Sequence, residues 1–241
     1  MTLISLIAAV SVLLASDAPV GPDAQKIFTQ SIMQARSIHI SPFLRYKYTI
    51  EMTHKQKAKK YSYLVLERLS DHLGRFTGLE QDGSESQDIH LHSTLVSPGL
   101  FLNAVAEEAA AVESDSGPAT IGRSVVMPYT AVFATPETIG GCSDAFHILL
   151  TPLGQPEQRR LREIWVDPST LRICHAKIHH TVNIISREAV TIDLSLDRNQ
   201  FVEEWNFSGT GHTAVGTYTL SAVGQFMDVM NVPMAEDRLF K

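Results

Sequence analysis

Two neighbouring stretches constrain the fold of this chain more than any others: Phe146-His-Ile-Leu-Leu-Thr-Pro152 and Glu163-Ile-Trp-Val-Asp-Pro-Ser-Thr-Leu-Arg-Ile-Cys-His-Ala-Lys-Ile178. Rich in β-branched and aromatic residues and broken by turn formers, they read as three consecutive antiparallel strands. Asp167 and Pro168 open the tetrapeptide Asp167-Pro168-Ser169-Thr170 and preset a type I turn between the second strand and the third. Such a meander builds a sheet, and a sheet identifies an architecture better than it identifies a reaction.

The same logic extends in both directions. Pro22 and Asp23 open a helix, with Pro at a first-turn position and an acidic residue near the positive end of the dipole. Ala24, Ile27, Phe28, Ser31, Ile32 and Ala35 then recur at helical spacing, so one face packs against something, and the helix ends near Ser37. From Phe43 the period changes to two. Leu44, Tyr46, Tyr48, Ile50 and Met52 share one face, and Arg45, Lys47, Thr49 and Glu51 the other, which makes a half-buried strand. A polar tip at 53–60 turns the chain into a second strand over 61–69. Gln81 to Asp88 reads as a polar loop, and 81–118 as an irregular or helical excursion from the sheet, with 95–118 a candidate lid. Strands resume at Ile121. Among the later ones, Val190, Ile192, Leu194 and Leu196 share a face, and Phe201, Trp205 and Phe207 lie together beyond the turn at Asp197 to Gln200. The expectation is a mainly β, α+β chain of roughly nine to eleven strands, nearly all antiparallel, with one or two flanking helices.

At the N-terminus, Leu3 to Leu14 is an apolar run followed by Ala15-Ser16-Asp17-Ala18-Pro19. About a dozen residues fall short of the roughly 20 that a membrane-spanning helix needs, but they suit a signal-peptide core. Residues 1–18 are therefore expected to be an export signal and 19–241 a single domain without a transmembrane segment. A net charge of −6 argues against a nucleic-acid surface, which needs a clustered basic face.

Cys142 and Cys174 are the two cysteines, and in an exported chain they permit one disulfide. In a simple meander a strand separates them by about 10 Å, too wide for a bridge unless the Gly140-Gly141 turn curls inward. One disulfide and two independent thiols both stay open.

Taken together, the export signal, the N-terminal amphipathic helix feeding a Tyr-rich strand, the Leu-Thr-Pro strand of Phe146 to Pro152 and the Trp-Val-Asp hairpin resemble the LolA/LolB-like superfamily of bacterial envelope proteins. The motifs Tyr129-Thr-Ala-Val-Phe-Ala and Ile139-Gly-Gly141 add to the likeness, which is best from Ile121 to Phe207, moderate from Pro22 to Leu69 and lost over 81–118. The resemblance implies a curved antiparallel half-barrel whose concave face holds acyl chains under helices. It implies an exported periplasmic or envelope protein that binds or carries an amphiphile, a lipid or an acylated polypeptide, without catalysing a reaction. The alternative is a non-catalytic structural or regulatory module of the same fold, with a filled barrel, that recognises an envelope protein. The candidate lining comprises Leu44, Tyr46, Tyr48, Ile50, Met52, Phe201, Trp205 and Phe207.

Other chemistries find little support. His175 and His179 project to one strand face with Lys177 between them, and His90 and His92 alternate likewise. A lysine beside a divalent ion is unfavourable, so solvated histidines are expected, with no metal and no cofactor. No Gly-flanked serine elbow, Ser-x-x-Lys pair or His-Glu-x-x-His helix occurs. Glu203, Glu204 and Asp193 read as ordinary strand charges. The basic tip of Lys55, Lys57, Lys59 and Lys60 lacks interleaved aromatics and reads as a solvated turn that discourages edge pairing.

Overall fold

The computed structural model describes residues 22–54, 57–80, 85–93, 96–106, 128–135, 139, 142–153, 159–181, 189–213, 216–233 and 237–240. The expected signal at 1–18, the strand start at Ile121 and the 107–118 part of the candidate lid lie outside them.

Helix α1 (Ala24–Arg36) begins where its sequence signals say. Asp23 is the N-cap, its carboxylate accepting from the backbone N–H of Gln25 and Lys26, and Ser37 is the C-cap. All six residues of the anticipated face are buried. Eleven strands follow: β1 (Phe43–His54), β2 (Lys57–Arg68), β3 (Leu73–Leu79), β4 (Glu85–Ser93), β5 (Tyr129–Phe133), β6 (Phe146–Pro152), β7 (Leu161–Val166), β8 (Ile173–Thr181), β9 (Ala189–Leu196), β10 (Val202–Thr213) and β11 (Gly216–Val232). They form one antiparallel sheet in the order β4-β3-β2-β1-β11-β10-β9-β8-β7-β6-β5. Two meanders are thus joined by the pairing of the first strand with the last. Among the described residues no ladder joins β4 to β5, so the sheet is open. Bulges in the β1–β11, β9–β10, β3–β4 and β7–β8 ladders add to the ordinary strand twist and curve it. The mainly β architecture with flanking helices is the one anticipated.

One face of this sheet carries the core. Helix α1 and the helical residues 100–106 pack there against Leu44, Tyr46, Val65, Tyr129, Ile148, Ile164, Ile178 and Leu194. Phe28 meets Tyr129 edge to face, with ring centroids 5.8 Å apart. The side chain of Gln25 accepts from the N–H of Ala131 at 2.9 Å, so helix α1 occupies a hydrogen-bonding position on the edge strand β5.

Three features go beyond the sequence, the first of them a correction. First, Glu85–Ser93 inside the supposed excursion 81–118 is a strand, with Ile89 opposite Thr77 and Leu91 opposite Arg75. As an edge strand it is largely polar, which erased the hydrophobic signal. Second, the turn opened by Asp167 closes one residue beyond Thr170. Leu171 donates to the Asp167 carbonyl and adopts φ 58°, while the Asp167 carboxylate accepts from Ser169 and Thr170. Third, of the two alternatives left open for the cysteines the structure has the bridge: Cys142 and Cys174 are disulfide-bonded with Cα atoms 6.0 Å apart. Ile139 and Cys142 form an isolated antiparallel bridge that folds this segment back over β7. The bulge between Trp165 and Val166 pairs Val166 with Ile173 and Trp165 with His175, leaving Cys174 as the extra residue beside Trp165. Both departures from a plain meander shorten the separation that had argued against the bridge.

Candidate functional site

The first strand organises the site, because its alternation is continued by its neighbours in register. Leu44 lies opposite Glu67, Tyr46 opposite Val65, Tyr48 opposite Tyr63, Ile50 opposite Tyr61 and Met52 opposite Lys59. On the other side Tyr48 pairs with Phe226, Ile50 with Gly224 and Met52 with Ala222. Trp205 faces Gly224 and Phe207 faces Ala222 in turn. The core face therefore carries successive rows: Tyr63, Tyr48 and Phe226; then Tyr61, Ile50, Gly224 and Trp205; then Lys59, Met52, Ala222 and Phe207.

Burial falls along the β1 and β2 members of these rows, while Phe226, Gly224, Trp205 and Ala222 stay buried. Leu44 is 0% exposed and Tyr46 is equally enclosed, Tyr48, Ile50 and Tyr63 are half-buried, and Tyr61 and Met52 reach 38% and 36% exposure. Of the remaining candidates, Phe201 and Trp205 are buried and Phe207 is half-buried. Thus Leu44, Tyr46, Phe201 and Trp205 fill core, while Tyr48, Ile50, Met52 and Phe207 come together where the filling thins. Phe201 precedes the bulge between Val202 and Glu204, which explains how Val202 is buried as well.

The thinning end is aromatic. Tyr48 stacks on Phe226 with centroids 5.0 Å apart and on Tyr63 at 6.5 Å, and Tyr61 stacks on Tyr63 at 6.5 Å. Trp205 and Phe207 stack at 5.9 Å. Burial holds the Tyr48 phenol well above its usual range and raises that of Tyr63, so both present neutral hydroxyls. Tyr61, Tyr63 and Phe226 were missed as site residues. The alternation of Tyr61, Tyr63 and Val65 was available in the sequence; their alignment with Tyr48 depends on the hairpin register.

The closed end holds a buried polar network. Glu67 accepts from the Tyr46 hydroxyl at 3.0 Å and from Ser97 at 2.8 Å, and His72 Nδ1 lies 3.3 Å from its other oxygen. Burial, then the Glu67 charge, drives the Tyr46 phenol far above its ordinary value.

The opposite face of the sheet carries a second cluster. Trp165 is fully buried there, stacked on His147 at 4.1 Å and meeting His175 edge to face at 4.9 Å. Glu163 binds both His147 at 2.9 Å and Lys177 at 3.2 Å. His175 is 6% exposed, which corrects the expectation that it is solvated, and His179 is half-buried. The Trp165 ring, which lies against His175 through the strand register and is not its neighbour in the sequence, helps exclude water from it. Ser195 lies 3.4 Å from His175 Nδ1, but Asp193 is 3.7 Å from Nε2, too far for a hydrogen bond, so these residues do not form the relay that activates a serine. Among the described residues no group of three or more His, Cys, Asp or Glu side chains is placed to hold a metal ion.

No family model and no curated protein matches the chain. Solved structures do show similarity. A DUF1329 family protein from Desulfovibrio piger aligns over 91% of this chain and 98% of its own, at 11% identity and TM-score 0.43. A LolA superfamily protein from Nitrosomonas europaea aligns over 90% and 97%, at 12% identity and TM-score 0.39. An outer membrane lipoprotein-sorting protein domain from Vibrio parahaemolyticus aligns over 91% and 97%, at 10% identity and TM-score 0.42. The architecture, an open antiparallel sheet with helices against one face, is the one that the LolA/LolB-like resemblance leads one to expect, and likenesses at these scores add no argument of their own. No helix among the described residues is long and apolar enough to cross a membrane.

Proposed function

We propose that this protein is an exported envelope protein that binds or carries an amphiphile, a lipid or an acylated polypeptide, along the thinning end of its core face. The observation that carries the reading is the burial gradient within one strand, from enclosed Leu44 and Tyr46 to half-buried Tyr48 and Ile50 and exposed Met52. An apolar stripe that begins as core and ends in water leaves its outer rows short of partners, and burying them is favourable at about 25 cal/mol per Å². Export is supported by the apolar run from Leu3 to Leu14 and by the Cys142–Cys174 bridge, which suits an oxidising compartment. The role is binding, not catalysis.

A filled-barrel module that recognises an envelope protein is the rival, favoured by the complete enclosure of Leu44, Tyr46 and Phe201. Native mass spectrometry together with titration of a fluorescent fatty-acid probe separates the two. Co-purified amphiphile and saturable probe binding, weakened in Tyr61→Glu while the fold persists, is the expected result. A folded protein that binds neither would overturn the carrier reading in favour of the interaction module.

A further inference from the structure

Resting on that amphiphile reading, the structure assigns a head-group chemistry: we propose that the bound molecule is an acyl chain bearing an anionic head, received by Lys59. In β2 the residues Lys59, Tyr61, Tyr63, Val65 and Glu67 alternate onto one face, and the register places that face with Leu44 to Met52. Lys59 is exposed, stands directly opposite Met52, and continues the row that holds Phe207. No carboxylate among the described residues pairs with it. From Tyr63 to Lys59 is four residues, about 13 Å of strand. An extended acyl chain lying on the tyrosines would thus bring its head to the ammonium.

Lys60 supplies the contrast. Its side chain belongs to the other face of the sheet, opposite Glu51, where a cross-strand partner of opposite charge already stands. Two adjacent lysines, both exposed, therefore have different register neighbours: Lys59 stands opposite Met52 on the face of Tyr61, Lys60 opposite an acid. The basic hairpin tip does have interleaved aromatics, but only on the Lys59 side. In a chain of net charge −6 the attraction for an anion must be local, because the summed long-range field opposes it.

The test compares a pyrene-labelled fatty acid with the corresponding fatty alcohol, titrated into the full-length protein, Lys59→Glu, Lys59→Met and Lys60→Glu, with circular dichroism to confirm the fold. Wild type is expected to prefer the acid. Both Lys59 variants should lose that preference, with acid binding about five- to tenfold weaker in Lys59→Glu and alcohol binding weakened less, and Lys60→Glu should keep it. Lys59→Met retains the apolar stem, so its loss isolates the charge. Equal affinity of wild type for acid and alcohol, or equal losses in Lys59→Glu and Lys60→Glu, would overturn the head-group assignment and leave the amphiphile reading standing. Binding of neither probe by folded wild type would overturn both.

Discussion

The hydroxyl of Tyr46 donates to the carboxylate of Glu67 at 3.0 Å, across the β1–β2 ladder and entirely within the core. A buried carboxylate persists only when its lone pairs are satisfied, and Ser97 and His72 are further partners of this one. Tyr46→Phe is therefore expected to cost about 1–3 kcal/mol, and Ser97→Ala a comparable amount. Urea unfolding monitored by circular dichroism measures both. Wild-type midpoints in each variant would show that the network does not hold the closed end.

A second expectation concerns Gly224, on which the Trp205 indole lies flat. A Cβ at this position would run into the Nε1, Cε2 and Cζ2 atoms of that ring. Gly224→Ala should therefore displace Trp205 and destabilise the protein by about 1–3 kcal/mol. The displacement also disturbs the Trp205–Phe207 stack at the thinning end, so probe affinity should fall together with the unfolding midpoint. Unchanged tryptophan emission and unchanged midpoint in Gly224→Ala would contradict this packing.

The disulfide closes a sequence separation of 32 residues over Trp165. Cys142→Ser with Cys174→Ser, or treatment with a reductant, is expected to lower stability by about 2–4 kcal/mol. Because Cys142, Ala145 and Trp165 form a cluster apart from the main core, loss of the bridge should shift tryptophan emission to the red before global unfolding. Emission that moves only with the main transition would show that the cluster does not open separately.

Acid should also weaken the protein through its histidines. Burial lowers the pKa of His175 from its ordinary 6.5, against the opposing pull of Asp193, and lowers that of His179 likewise. The folded state thus binds fewer protons than the unfolded chain as pH falls. The contribution of His175 is complete above about pH 6.5 and is lost progressively below it. Melting temperatures recorded from pH 8 to pH 5 should fall at the acid end, less steeply in His175→Gln. Parallel profiles for wild type and variant would show that His175 makes no such contribution.

Much of the architecture was legible along the chain. The face of α1 from Ala24 to Ala35, the alternation of Leu44 to Met52, and the shared burial of Ile192, Leu194 and Leu196 all follow from helix and strand periods acting on side-chain hydrophobicity. The meander around Trp165 likewise announced itself, because turn formers separate apolar runs in the sequence. Where hydrophobic period was absent, as in the polar edge strand Glu85–Ser93, the reading failed.

What only the tertiary structure decided are relations between strands. A period fixes the two faces of each strand but not which residue lies opposite which, and every bulge shifts that register by one. The bulge in β7–β8 brought Cys174 beside Trp165, and the Trp165 ring lies against His175, reversing the expectation from alternation that His175 is solvated. The β1–β2 register set Tyr61 and Lys59 in the same rows as Ile50 and Met52, and so separated Lys59 from Lys60. Sequence by itself determined that this chain would build a half-buried aromatic sheet. Which end of its stripe becomes core and which meets water was decided by where α1 and residues 100–106 pack, a long-range contact that no local pattern encodes.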